Sequence, residues 1–339
     1  MESRPIAEGV VPLISVEGTG AECGRQYAEV VLERYPGYRR YLDPLTEWQS
    51  LSAQAERLFE QRAPYLLDMH RAMLAVAGPP KSAPEPARPE RCTSFGVAGS
   101  VTLDGEPISG QSKDTARESA ALYIVLRMRL TDGPTLLVLA YPGEVLGYGF
   151  WSTGMSVFRN SLFSSAGGRH GLTMVQWGLL ALAGKSVHDG VELARTHGIA
   201  DCGNVLLSDG QGESVSVEFN AGGVSIVPAR EGIATHANHP LGKETQPFEK
   251  FASDLDREDS RYRMERRWQL LDAERGRLTA QKALMALSDH SRYPYGLCRH
   301  LAHGRNFCTT SVVIAEPTAG KLHVTRGNAC MNWPVTYGA

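Results

Sequence analysis

Cys92 is the residue of this chain that is best placed for nucleophilic chemistry. It follows the proline-rich segment GPPKSAPEPARPER, residues 78–91, and begins the strand-like segment CTSFGVAGSV. Cutting the Arg91–Cys92 bond would give Cys92 a free α-amino group beside its thiol. Such an amine has an ordinary pKa of about 7.7–8.0, so it can accept the thiol proton near neutral pH. We therefore predict that Cys92 is a nucleophile, which the chain releases by cutting itself after Arg91.

The setting of Cys92 also has a simpler interpretation. Cysteine is among the most often buried residue types, and most cysteines are structural. A proline-rich segment is typical of an extended, exposed linker between domains, because it can neither continue a helix nor lie in the centre of a sheet. Other motifs are needed to favour the nucleophile.

Several short motifs follow one another along the chain. They are EGTGAECGRQYAEV, RCTSFGV, SGQSKD, THANHP, DSRYRMER, SDHSRYPYGLCRH, TTSVVI and VTRGNAC. In this order they resemble the acyl-coenzyme A:6-aminopenicillanic acid acyltransferase family (peptidase family C45), which also contains β-alanyl amine hydrolases and belongs to the N-terminal-nucleophile hydrolases. The resemblance extends over nearly the whole chain. It implies an autoprocessed enzyme that cleaves or transfers the acyl group of a small amide or thioester.

The resemblance also implies roles for individual residues. Cys92 would be the nucleophile, Asp114 would hold its new α-amino group, and Asn238 would donate to the oxyanion. Ser260 and Arg261 match a pair near the active site, where Arg261 would favour the thiolate. The candidates for lining the substrate pocket are Thr93, Gln111, Trp151 and His236. Without the resemblance, the same residues have ordinary structural interpretations. Asp114 would be a turn carboxylate, Asn238 a loop cap and Arg261 a charge on a helix surface.

The chain departs from the family pattern at three places. Trp151, in GFWSTG, stands where relatives have an asparagine, so a polar donor is missing or replaced there. Asp114 lies between Lys113 and Thr115 rather than beside aromatic residues, and the residue before the predicted cut, Arg91, is bulky and charged. These departures leave the substrate open. The loss at Trp151 also motivates an alternative, an uncleaved and non-catalytic binding or scaffold relative of the same fold.

Hydrophobic periodicity predicts helices over 22–31, 52–77, 175–197, 260–273 and 279–290. Short strands are predicted over 92–101, 106–112, 121–130, 134–143, 204–210, 213–219, 222–228, 232–238, 309–317 and 320–327. Runs of strands separated by runs of helices favour an α+β fold. With the resemblance, they predict a four-layer αββα sandwich. Residues 1–91 would form a helical pro-segment that ends in the proline-rich connector, and residues 92–339 the catalytic core.

Composition narrows the partners and the compartment. Hydrophobic residues make up 42% of the chain and charged residues 21%, and the net charge is −2. There is therefore no electrostatic reason to expect nucleic acid or an anionic membrane as a partner. The N-terminus lacks the pattern of a secretory signal, and no apolar run approaches the about 18 residues of a membrane span. The six cysteines are expected to be thiols, and we predict a cytoplasmic enzyme.

The predicted chemistry needs a small-molecule acyl donor and either water or an amine as acceptor. It requires no cofactor, although an acyl-CoA could be a substrate. The two self-cleaved fragments could stay associated, or the pro-segment could be shed. The sequence leaves hydrolysis and acyl transfer equally open.

The segment CRHLAHGRNFC brings four candidate metal ligands close together in sequence, Cys298, His300, His303 and Cys308. Cysteine and histidine are the ligands that zinc prefers. The spacing fits no common zinc finger, however, and two of the four residues match the family's own pattern. We therefore predict that the chain holds no metal.

Overall fold

The computed structural model describes residues 10–45, 51–78, 90–165, 170–251, 253–301 and 306–339, and all structural statements below refer to them. Most of the predicted proline-rich connector, residues 79–89, lies outside these ranges. Its extended form therefore stays a prediction. His303, weighed above as a metal ligand, also lies outside the described residues.

Fourteen described strands form two sheets. The larger sheet has the order β1-β4-β5-β6-β7-β8-β9-β10, and the smaller has the order β11-β2-β3-β12-β13-β14. The larger sheet consists of β1 (Leu13–Gly18), β4 (Ile124–Leu130), β5 (Thr135–Ala140), β6 (Tyr148–Trp151), β7 (Ser156–Asn160), β8 (Gly203–Ser208), β9 (Ser214–Asn220) and β10 (Gly223–Pro228). The smaller consists of β2 (Thr93–Val97), β3 (Ile108–Thr115), β11 (Ile233–His236), β12 (Cys308–Glu316), β13 (Lys321–Arg326) and β14 (Val335–Gly338).

Helices cover the outer face of each sheet. Against the larger sheet lie α1 (Gly20–Arg34), α2 (Ala53–Arg62), α3 (Pro64–Ala77), α4 (Met174–Ala183) and α5 (Val187–His197). Against the smaller sheet lie α6 (Asp254–Asp272) and α7 (Ala280–Ala286). A third apolar cluster, which includes Phe150 and Val313, fills the space between the sheets. The four layers are therefore helix, sheet, sheet and helix, which confirms the predicted αββα sandwich.

The residues before Cys92 belong to these layers. Strand β1 pairs in parallel with β4 at the edge of the larger sheet, while the other strand pairs are antiparallel. Helix α1 begins with a capping box in which Thr19 and Glu22 satisfy each other's backbone N–H groups. A Cβ atom at Gly20 would lie 2.1 Å from the carbonyl oxygen of Tyr65, so glycine allows α1 to approach α3 closely.

The sequence predicted most helices and strands at the correct positions, but it predicted one helix in two places where the structure has two. The helix predicted over 52–77 is two helices, because Pro64 begins α3 and cannot donate the hydrogen bond that a continuous helix needs. The stretch 175–197 is likewise divided, since Ser186 caps the start of α5. Strands β1, β6, β7 and β14 were not predicted. They are four to six residues long, too short for periodicity to stand out.

Side chains of β2 alternate between two environments. Phe95 and Val97 pack against α6 and α7, whereas a Cβ atom at Gly96 would meet Ser208 and Ser214 of the larger sheet. By the same alternation, Thr93 faces the helices and Cys92 faces the space between the sheets. The described residues include no helix that is both long and apolar enough to cross a bilayer.

Candidate active site

The thiol of Cys92 lies buried between the two sheets, in contact with a charged pair. Its Sγ atom donates to Oε2 of Glu90 at 3.6 Å, and the same oxygen lies 2.8 Å from Nζ of Lys113. Lys113 is fully buried on β3, with Nζ 3.7 Å from the centre of the Tyr148 ring on β6. The Cys92 thiol, the Glu90 carboxylate and the Lys113 ammonium group therefore contact one another in a row between the sheets.

This environment keeps the thiol protonated. Burial raises the pKa of Cys92 to about 12, and the charge of Glu90 acts in the same direction, while Lys113 opposes them. Burial is the largest single influence on Lys113 and disfavours its charge, but Glu90, Tyr148, Tyr123 and Cys92 together favour it, so the pKa of Lys113 lies well above its ordinary value. At neutral pH the buried lysine is charged and the thiol is neutral, so the thiol needs a base before it can attack.

Arg263 of α6 contacts the other side of the β2 backbone. Its Nη1 atom donates to the carbonyl oxygen of Cys92 and to Oγ1 of Thr93, both at 2.7 Å. Nη2 donates to Oδ1 of Asn238 at 2.7 Å, and Nε donates to Oδ2 of Asp259 at 3.0 Å. This buried guanidinium thus joins strand β2, the loop after β11 and its own helix.

The amide group of Asn238 points at the segment before the predicted cut. Nδ2 donates to the carbonyl oxygen of Glu90 at 3.1 Å and to that of Ser161 at 2.7 Å. The backbone N–H of Asn238 donates to Oγ of Ser260 at 2.9 Å. Since Arg263 holds the amide oxygen, the amide nitrogen can only face the carbonyl groups.

Asp114 is buried beside two arginines. Its Oδ1 atom accepts from Oγ1 of Thr309 at 2.7 Å, and Nε of Arg299 lies 3.5 Å from Oδ2. That Oδ2 atom has no hydrogen-bond partner among the described residues. Burial raises the pKa of Asp114 to about 6, although Arg299 and Arg263 act against it. Its backbone carbonyl accepts from the N–H of Arg91 at 3.0 Å, so β3 also positions the predicted cut.

The predicted catalytic residues do not all meet. Cys92, Asp114, Asn238 and Ser260 lie around the start of β2 through the contacts given above. Arg261 is exposed and pairs with Glu249 at 3.5 Å. The arginine that contacts Cys92 is therefore Arg263, two residues further along α6 than the sequence indicated.

The pocket candidates are spread over several environments. Thr93 is held by Arg263, while Gln111 faces the larger sheet and donates from Nε2 to the carbonyl oxygen of Arg159 at 2.8 Å. His236 forms a buried pair with Glu218, with 2.6 Å between Nε2 and Oε1. Trp151 is fully buried in the core between the larger sheet and its helices, on the opposite face from Tyr148 and Phe150. It fills that core rather than the space beside Cys92.

Several residues of the site escaped the sequence analysis. Glu90 was read as part of a linker, and Lys113 only as an unusual neighbour of Asp114. Asn160 was also missed; its Nδ2 atom donates to the carbonyl oxygens of His236 and Ala237 at 3.1 and 2.9 Å. The one available signal was a lysine inside an otherwise buried strand, where a charge requires a partner.

The two arginines of α6 should differ sharply in their effect on stability. We expect Arg263→Ala to lower the free energy of unfolding by about 3–5 kcal/mol, because it breaks a buried ion pair with Asp259. Arg261→Ala should cost about 1 kcal/mol or less, since its ion pair is exposed. Denaturant unfolding in a Cys92→Ala background would measure both. A larger loss for Arg261→Ala would contradict this assignment.

The chain matches the family model described as acyl-coenzyme A:6-aminopenicillanic acid acyl-transferase over residues 117–329, a range that begins after Cys92 and includes Asn238, Arg263 and Arg299. No curated protein matches it.

Solved structures resemble it distantly. A cysteine-to-alanine mutant of conjugated bile acid hydrolase from Clostridium perfringens is 11% identical, with a TM-score of 0.46 over 73% of this chain and 97% of that one. Penicillin V acylase from Agrobacterium tumefaciens is 12% identical, with a TM-score of 0.33 over 69% and 74%. These likenesses are too weak to inform the site. Because the family match extends over more than half of the sequence, the chain belongs to the acyl-coenzyme A:6-aminopenicillanic acid acyl-transferase family.

Proposed function

We propose that the chain is the precursor of a cysteine acyl-transfer enzyme, which cuts its own Arg91–Cys92 bond and then uses Cys92 as an N-terminal nucleophile. One observation carries the proposal. Buried donors hold the carbonyl groups on both sides of the predicted cut, Asn238 that of Glu90 and Arg263 that of Cys92. A structural cysteine at a strand end requires neither donor.

Glu90 is the base for the cut in this proposal. Its carboxylate takes the proton from the Cys92 thiol, and the charge of Lys113 stabilises the thiolate that forms. The thiolate attacks the carbonyl carbon of Arg91, whose bond to the Cys92 nitrogen breaks as that nitrogen takes up a proton. The resulting thioester joins the Arg91 carbonyl to sulfur, and water hydrolyses it. The products are a new carboxylate at Arg91 and a free amine at Cys92.

A second base then takes over. Glu90 belongs to the fragment that ends at Arg91, whereas the new α-amino group of Cys92 stays beside the thiol. With an ordinary pKa of about 7.7–8.0, that amine can activate the thiol in every later turnover. The Oδ2 atom of Asp114, which accepts no hydrogen bond among the described residues and lies 3.5 Å from Nε of Arg299, provides a buried acceptor for its ammonium form.

In turnover, the thiolate attacks the acyl carbonyl of a small amide or thioester, and the leaving group departs with the proton. Displacement of Glu90 from Asn238 would free Nδ2 to donate to the oxyanion, an interaction typically worth about 3–4 kcal/mol. Water or an amine then removes the acyl group from sulfur. The chemistry requires no cofactor, and an acyl-CoA thioester is one suitable donor.

The fragment of residues 1–91 stays bound after the cut in this proposal. Strand β1 pairs with β4 over six residues, and helices α1 and α3 bury apolar side chains in the same core as the larger sheet. Release would expose that core to water. The free thiols of all six cysteines support a cytoplasmic location.

The alternative of a non-catalytic relative rested on Trp151 in place of a polar donor. Trp151 lies on the face of the larger sheet that the helices cover, so its side chain does not reach the space between the sheets. The substitution at this position therefore gives no reason to expect a loss of catalysis. An uncleaved scaffold is therefore the weaker candidate.

Trapping the acyl-enzyme tests the proposed activity. The purified protein is mixed with a panel of acyl-CoA thioesters and N-acyl amines, quenched in acid and analysed by mass spectrometry. We expect the fragment of residues 92–339 to gain one acyl group on Cys92, and added amine to divert the product from acid to amide. Cys202→Ser is the matched control and should still be acylated. Acylation at another cysteine, or of Cys92→Ala, would contradict the proposal.

The role of Glu90 predicts a change in the pH dependence of self-cleavage. Glu90→Gln should slow the cut by about 10²–10⁴-fold near neutral pH, because no positioned base remains. Burial, the main cause of the raised pKa of Cys92, persists in the variant, so its thiolate fraction and its rate should rise about tenfold per pH unit below that pKa. Wild-type protein should show a flatter profile.

Asp256→Asn serves as the control for this experiment, since Asp256 pairs with Arg91 at 2.8 Å without contacting the thiol. It should keep the wild-type profile. Equal rates and equal profiles for Glu90→Gln and wild type would remove Glu90 from the mechanism. The cut itself would remain to be explained by another base.

A further inference from the structure

Two histidines and two cysteines converge outside the candidate active site. One ligand atom from each of His290, Cys298, His300 and Cys330 lies within 4.8 Å of the others. The two histidine Nε2 atoms are 2.9 Å apart, and the two Sγ atoms are 3.4 Å apart. Nε2 of His300 lies 3.5 Å from Sγ of Cys298 and 3.4 Å from Sγ of Cys330.

Four of the six separations are close to the edges of a tetrahedron around Zn²⁺, and the two between His290 and the sulfurs are at most 4.8 Å. Bonds of about 2.0–2.1 Å to nitrogen and about 2.3 Å to sulfur require edges of about 3.3 Å between nitrogens, about 3.6 Å between nitrogen and sulfur, and about 3.8 Å between sulfurs. Each measured edge lies within about half an ångström of its value. The ligand set, two imidazoles and two thiols, is one that structural zinc sites use.

Hydrogen bonds among the four side chains do not explain why they converge. Thiols are weak donors and weak acceptors, and of two facing Nε2 atoms only one can donate to the other. An ion bound by all four would replace these weak contacts with metal–ligand bonds.

The backbone directs the four side chains to one point. The N–H of Cys298 donates to the carbonyl oxygen of Asp289 at 3.2 Å, and that of His300 to Pro294 at 3.1 Å, so this segment folds back on His290. Cys330 lies in the turn closed by the bond from the N–H of Met331 to the carbonyl oxygen of Asn328 at 3.1 Å.

Asn328 provides support beyond the four ligands. Its Nδ2 atom donates to Sγ of Cys298 at 3.4 Å and to the carbonyl oxygen of Arg299 at 2.8 Å. A donor beside a cysteine sulfur stabilises its thiolate, the form that binds metal.

We propose that His290, Cys298, His300 and Cys330 form a structural site for a divalent transition metal, with Zn²⁺ as the natural occupant. The site ties the loop 289–300 to the turn 328–331 near the C-terminus. The proposal departs from the prediction of no metal, which concerned Cys298, His300, His303 and Cys308. Cys308 belongs to β12, and its place is taken by Cys330, which lies 30 residues from His300 along the chain.

The site also bears on the candidate active site, because two of its ligands flank Arg299. That arginine is buried, lies 3.5 Å from Asp114 and donates to Asp259. Bound metal would hold the backbone on both sides of it, which makes the four ligands positioning residues for Arg299. The metal proposal itself does not depend on the proposed function.

The first test is the metal content of the full chain in the Cys92→Ala background, purified under reducing conditions and supplied with one equivalent of Zn²⁺ before desalting. We expect about one zinc per chain by plasma mass spectrometry. Cys330→Ser and His290→Ala should lose most of the zinc. Cys202→Ser, which removes a thiol that donates to the carbonyl oxygen of Leu162, should retain it.

Two further readouts separate a metal site from a fold defect. Co²⁺ added to stripped protein should give the intense visible absorption of a tetrahedral thiolate site, which Cys330→Ser should abolish. A chelator should lower the Tm of the parent chain, and Zn²⁺ should restore it, with no change in Cys330→Ser. No bound zinc in the supplied parent chain would overturn the proposal. So would an intact mass lower by two hydrogens under reducing conditions, which would mark a Cys298–Cys330 disulfide.

Discussion

The buried guanidinium of Arg263 is the interaction on which the site depends. A charge removed from water must be paired and hydrogen-bonded where it lies, or the fold loses several kcal/mol. Arg263 meets this condition with Asp259 on its own helix and with the backbone of Cys92 and the side chain of Asn238 across the layer. These contacts hold helix α6 on the smaller sheet with Arg263 over the start of β2.

The strand pair β2–β3 divides the charges of the site into two groups. On the helix side, Arg263 and Arg299 face Asp114 and Asp259. Between the sheets, Lys113 faces Glu90 and the thiol. The first group holds the backbone, and the second sets the protonation state of the Cys92 thiol. In the proposed sequence of events, cutting the chain replaces Glu90 with an amine while the arginines keep their partners.

The sequence predicted the layers better than it predicted the details of the site. Runs of strands separated by runs of helices, together with the family resemblance, indicated the sandwich, and the motifs indicated Cys92, Asp114 and Asn238. The sequence indicated Arg261, whereas the buried arginine beside Cys92 is Arg263, because Ser260, Arg263 and Arg267 lie on the buried face of α6. With polar and charged residues on its buried face, this helix carries no apolar stripe to reveal which side is inside.

Contacts between distant parts of the chain could not be predicted from the sequence for a different reason. Lys113 signals in sequence only that it needs a partner, and nothing marks Glu90 as that partner. Only the pairing of β2 with β3 brings their charges to one thiol. Cys330 meets Cys298 only because the turn after β13 packs against the loop before β12. Local spacing carries no information about such meetings, so the metal ligands could not be chosen correctly before the fold was known.

The most direct test of the central claim is the intact mass of the purified protein beside that of its Cys92→Ala variant, with the N-terminal residue of each product identified. The account predicts that wild type yields residues 1–91 and 92–339, still bound to each other, with Cys92 as the new N-terminus, and that the variant stays whole. A wild-type chain that stays whole after prolonged incubation across a range of pH, or a variant cut at the same bond, would contradict it.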